Sequence, residues 1–109
     1  MKIAFATEGS EGLDAVISQR FGRARFFTIV EVNEVGNVIN VKVIENPGFY
    51  AERGAGVRAV QRLIEEGVNV VVAGDFGPNA LAVLRSSGIR PVRVSGVAVR
   101  EALTKALQA

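Results

Sequence analysis

"VNVVVAGDFGPNALAVLRSSGIRPVRVS" (residues 68–95) decides the fold. It opens on an almost wholly apolar run, 68–74, of the kind found in strands covered on both faces. Gly77 then stands near a helix N-cap, Pro78 at the first helical position and Gly88 just past the end, the asymmetry expected of a helix. Residues 90–95 read as a second short strand. Two strands joined through a helix run parallel, because only a long crossover returns the chain to the same end of a sheet.

The rest of the chain supplies the partners of this unit. "KIAFAT" (2–7) has the apolar run of a buried central strand. Residues 8–25 are long, polar and glycine-punctuated, with Leu13, Val16 and Ile17 predicting one helical turn that touches the core. "FFTIVEVN" (26–33) is a strand, "EVGN" (34–37) a turn and "VINVKVIE" (38–45) its hairpin partner. A second long loop, "NPGFYAERGAG" (46–56), leads into a helix over 57–66, with Val57, Val60, Leu63 and Ile64 at helical spacing and Gly67 as its stop. "GVAVREALTKALQA" (96–109) is a closing amphipathic helix.

The order β-β-β-α-β-α-β-α gives an α/β fold. The first three strands form an antiparallel meander, and the last two enter by helical crossovers. We therefore expect a three-layer, ribonuclease H-like arrangement: a mixed five-stranded sheet of order 3-2-1-4-5, strand 2 antiparallel, in one domain over residues 1–109. The expected core is Ile3, Phe5, Ile29, Val41, Val70, Val71, Val72, Leu81, Leu84 and Leu103.

Composition narrows the chemistry. The 109 residues contain neither cysteine nor histidine. Disulfides, thiolate chemistry and the commonest metal ligand and general base are thereby removed. A formal charge of +2 is too small to announce a nucleic-acid protein. No apolar run reaches the roughly 18 residues of a membrane span. The N-terminus lacks the features of a signal peptide, so the expected location is the cytoplasm.

In this topology the segments 7–25, 46–56, 74–79 and 95–96 gather at the carboxyl edge of the sheet, where open α/β sheets bind ligands. "FGRARFF" (21–27) brings Arg23 and Arg25 there, two residues apart and so on one side if the strand reaches back that far. Arg20 and Arg53 lie in the adjoining loops. Gly54, Gly56, Gly77 and Asn79 mark two helix starts whose backbone N–H groups suit an anion. Each feature also has a plainer reading: solvated charge for the arginines, turn chemistry for the glycines and local backbone satisfaction for Asn79. Glu8, Glu11, Asp14, Glu52 and Asp75 share these loops and would dilute the positive field.

"FGRARFF", "ENPGFYAERGAG", "VNVVVAGDFGPNALAVLRSSGI" and "VSGVAVREAL" resemble, in this order and over nearly the whole chain, the dinitrogenase iron–molybdenum cofactor biosynthesis family, the NifX-like group with its orange-protein branch. The resemblance implies a ribonuclease H-like fold and a role in binding or carrying anionic metal–sulfur clusters, molybdenum-containing ones included. It also implies a protein donor or acceptor of the cluster. The chain departs from the family pattern at Arg20 and near Arg53, where members often carry His, and at Ala24, where some carry Cys. Side-chain ligation by Cys or His is thus excluded, leaving non-covalent capture by arginines and amides.

The leading expectation is a non-enzymatic binding or carrier protein for such a cluster or a related oxoanion. A nucleotide- or partner-binding regulatory domain is the alternative, although "GAG" and "GPNA" form neither a P-loop nor a GxGxxG fingerprint. A metal-dependent nuclease would need several carboxylates held together, and only Glu8 and Asp75 stand near strand ends.

Overall fold

The computed structural model describes residues 1–108. Five strands form one sheet in the order β3-β2-β1-β4-β5. They are β1 (Lys2–Thr7), β2 (Phe26–Val32), β3 (Val38–Glu45), β4 (Val70–Ala73) and β5 (Arg90–Arg93). β2 is antiparallel to both β1 and β3, while β1–β4 and β4–β5 are parallel. The α/β fold has the expected strand order and the expected reversal of strand 2.

Alternation along the central strands sends side chains to two opposite layers. Ala4, Ala6, Val71 and Ala73 face α1 (Ala55–Glu65) and α2 (Pro78–Ser86), packing with Leu63 and Leu84. The small alanines leave room for the helices to sit close. Ile3, Phe5, Val70 and Val72 face the other way, onto α3 (Val99–Gln108) and the buried Ala15 and Ile17. α2 follows its sequence punctuation closely: Gly77 is the N-cap, Pro78 the first residue, and Gly88 takes φ 75° past the end.

Four expectations need correction. Of Leu13, Val16 and Ile17, only Leu13 lies in a helical turn, the short 3-10 turn Gly12–Asp14 that packs on the core; Val16 and Ile17 are extended. Ala15 and Ile17 are buried while Val16 is 51% exposed, the alternation of extended chain, and backbone bridges tie Ile17 to Thr7 and Val16 to Ala98. Val41 is not core: at 36% exposure it lies on edge strand β3, beyond the cover of α3, with Gly12 as a close neighbour. Leu81 and Leu103 pack at the rims of the two core layers and stay partly exposed. α1 begins two residues before Val57, because Gly54 turns the chain in the left-handed region at φ 67°, and α3 starts at Val99 rather than Gly96. The predicted last residue of α3, Ala109, lies outside the described residues.

No helix among the described residues is long and apolar enough to cross a membrane.

Candidate functional site

A cleft of about 530 Å³ opens at the carboxyl edge of the sheet, lined by residues 20–23, 54–57 and 75–80. Each of these segments is held by a different device. The first is anchored by Phe21, which is buried against Phe27 and Phe76 with ring centroids 5.5 and 5.2 Å apart. Phe21 N–H donates to Asp75 O at 3.1 Å, and Gly74 N–H to Ser18 O at 2.8 Å, so the chain runs alongside the exit of β4. A Cβ on Gly74 would stand 2.8 Å from Gln19 Cα, which is why a side chain is absent there.

Asn46 governs the second segment. Its fully buried side chain donates to the carbonyls of Phe21, Gly22 and Ala24, at 3.3, 3.2 and 2.8 Å, and accepts from Gly48 N–H at 2.8 Å. One amide thereby joins the loop before β2 to the 3-10 turn Pro47–Tyr50. Glycines close the rest of the gap. A Cβ on Gly48 would lie within 2.5 Å of Ala55 O and closer still to Gly22 O, and one on Gly56 would touch Ala80 Cβ at 3.0 Å. A Cβ on Gly22 would stand 2.9 Å from Gly56 N, so the bare glycine leaves that amide open.

The result is two helix starts facing one cleft. Neither α1 nor α2 has a side-chain cap at its N-terminus. The first intrahelical bonds come from Arg58 N–H and Leu81 N–H. The amides of Ala55, Gly56, Val57, Asn79 and Ala80 therefore have no partner within their helices. Both helix dipoles add positive potential at the same place.

The sequence-derived candidates divide here. Arg20, Arg23, Gly54, Gly56, Gly77 and Asn79 line the cleft; Arg25 and Arg53 do not. Arg23 and Arg25 do not share a strand face, because β2 starts at Phe26 and residues 21–23 form a turn with Ala24 buried beyond it. Arg23 Nη1 donates to the carbonyls of Ala51 and Gly48, and Nη2 to Glu52 O at 3.4 Å, so this guanidinium caps the 47–52 turn. Arg25 lies over the rings of Phe26 and Phe49, 5.4 and 5.9 Å from their centroids. Arg20 and Arg23 are both exposed at the cleft and neither makes an ion pair among the described residues, but only Arg20 keeps its guanidinium free of carbonyl partners.

Of the five acidic residues expected to dilute the field, only Asp75 lines the cleft, and Arg93 neutralises it at 3.3 Å. Asp14 is paired with Arg100. Among the described residues no group of three or more His, Cys, Asp or Glu could hold a metal ion, so the two-metal nuclease reading finds no ligand set. The cleft suits an anion bound through amides and one guanidinium. Sequence reasoning missed Asn46. Asn46 was visible only as the Asn of an Asn-Pro-Gly turn, a type of residue that bonds its own backbone two residues on.

The fold is shared with proteins of known structure. The sequence model of the dinitrogenase iron-molybdenum cofactor family matches residues 1–109, and the chain belongs to that family. An uncharacterized protein of Methanocaldococcus jannaschii is 29% identical over 103 residues, covering 94% of this chain and 82% of that protein. The apo form of the orange protein from Desulfovibrio gigas is similar in structure at TM-score 0.86 and 32% identity, over 98% of this chain and 87% of that one. A Thermotoga protein of the DUF35 family, solved by NMR, matches at TM-score 0.76 and 31% identity, over 98% and 86% of the two chains.

Proposed function

We propose that this chain is a small binding or carrier protein for an anionic metal–sulfur cluster containing molybdenum, or a related oxoanion. The anion sits in the cleft between the starts of α1 and α2 without coordinate bonds to the protein. The observation that carries this reading is the meeting of two uncapped helix N-termini beside the unpaired Arg20. Membership of a family named for the iron–molybdenum cofactor points the same way. In this reading the protein works in the cytoplasm, receives its anion from one protein and passes it to another, and transforms nothing.

Tetrathiomolybdate titration, followed by its visible absorption, tests the proposal. A charge-assisted hydrogen bond contributes about 1.5–3 kcal/mol, so Arg20→Ala weakens binding roughly ten- to hundredfold. Added salt weakens wild-type binding through screening. Arg53→Ala, outside the cleft, leaves it nearly unchanged. Equal affinity in wild type and Arg20→Ala, both folded, would sink the assignment of the cleft. Tighter binding of a nucleoside triphosphate than of thiomolybdate would favour the regulatory reading.

A further inference from the structure

The two edges of the sheet are built differently. β5 is short and carries Arg90, Pro91 and Arg93, so charge and a missing N–H guard it against another strand. β3 is twice as long and has no proline. Val38, Ile39 and Val41 are 39, 57 and 36% exposed on it. Its one cation, Lys42, is turned onto Glu66 of the helix layer at 2.8 Å and does not guard the edge.

We propose that the β3 edge pairs with β3 of a second copy of this chain, antiparallel, about a two-fold axis through Val41. The strand's own sequence selects the occupant and the register. With Val41 opposite its copy, Ile39 faces Val43, Val38 faces Ile44 and Asn40 faces Lys42. Every apolar residue then meets an apolar residue on the same face, and no like charges stand directly opposite. Shifting the axis to Lys42 sets the two lysines against each other. Shifting by half a step pairs residues of opposite faces, which the pleat forbids. In the Val41 register Lys42 and its copy are only diagonal neighbours, each already neutralised by Glu66. Both subunits keep their clefts, since these lie between α1 and α2 and not on β3. The association extends the five-stranded sheet into the partner.

The chain contains no cysteine, so a single introduced thiol reports the register cleanly. In antiparallel pairs, opposite Cα atoms are about 4.5–5.5 Å apart, inside the span of a disulfide. Val41→Cys should therefore cross-link to itself under mild oxidation. Val43→Cys, about 13 Å from its own copy, should not, but should cross-link to Ile39→Cys when the two proteins are mixed. Because one strand edge is a small interface, sedimentation of wild type is followed up to roughly 1 mM, where the mass should rise from 11.6 kDa toward twice that value. Val41→Lys, which sets two charges on the axis, should remain monomeric with an unchanged circular dichroism spectrum. The proposal fails if wild type stays monomeric over this range and Val41→Cys oxidises no faster than Val43→Cys. It fails equally if wild type dimerises and folded Val41→Lys dimerises as strongly.

Discussion

The central strands and the loops at their carboxyl ends are specified in opposite ways. β1 and β4 are defined by the side chains they carry: Phe5, Val71 and Val72 are fully buried, one face on α1 and α2, the other on α3. The cleft is defined by side chains that are missing at Gly22, Gly48 and Gly56, and by one amide, Asn46, that stitches the loops together. Core packing tolerates a change of shape better than a change of polarity. In the cleft shape matters as much as polarity, because at Gly22 and Gly48 a single methyl group collides with main chain.

Substitutions at the two places should separate these modes. The largest effect is expected at Val71→Asp, which strands a charge between two packed layers and should cost at least about 4 kcal/mol, a large part of an ordinary domain's stability. Thermal melting reads it; a midpoint close to wild type would mean that β4 is not the buried strand. Asn46→Ala comes next. It removes the donor to three carbonyls at once and should cost about 2–4 kcal/mol in urea unfolding, with loss of anion binding in the protein that remains folded. A cost near zero would show that water replaces the amide and that the stitch is dispensable.

Gly48→Ala sharpens the contrast most. The added methyl meets Gly22 O and Ala55 O, both main chain, and should cost about 1–3 kcal/mol. Thiomolybdate affinity should fall although the sheet spectrum is intact; unaltered affinity would separate the 47–52 turn from the cleft. The smallest effect concerns Glu66, which lies outside the cleft, beside Lys2 at the start of β1. The hydrogen bond from Lys42 holds its carboxyl below the usual range, helped by the charges of Lys42, Arg62 and Lys2 and opposed by desolvation. A lowered folded-state value means that its contribution is complete above the ordinary carboxylate range and is lost as pH falls through the folded-state value. Glu66→Gln should therefore flatten the acid limb of the stability profile, by at most about 1 kcal/mol since Lys42 is half exposed. An acid limb identical to wild type would remove Glu66 from the account.

The same contrast explains what could be read from the sequence. α2 was legible because Gly77, Pro78 and Gly88 punctuate it through local backbone chemistry, which needs no partner. β1 and β4 were legible because apolar runs report burial directly. Val41 misled because alternation states which face a residue takes, not whether anything lies over that face. The paired arginines misled because the start of β2 is set by Phe21 and Ala24 sinking into the core, a tertiary event that periodicity does not record. Arg23 was drawn to the carbonyls of its neighbouring turn, and Arg25 to two aromatic rings. The helix start at Gly77 was readable, and the one after Gly54 only to within two residues; their convergence on one cleft follows from the strand order.

The open amides at residues 55–57 and 79–80 belong to the peptide chain itself, and that bears on how this surface can drift over generations. A codon change deletes a guanidinium or an imidazole in one step. It cannot delete a peptide N–H, short of introducing proline. Turnover among the decorating residues, such as arginine at position 20, can alter affinity and selectivity while the donors beneath stay in place. The heritable weak points are the positions where any side chain at all would intrude, Gly22, Gly48 and Gly56, and these can vary least without closing the cleft.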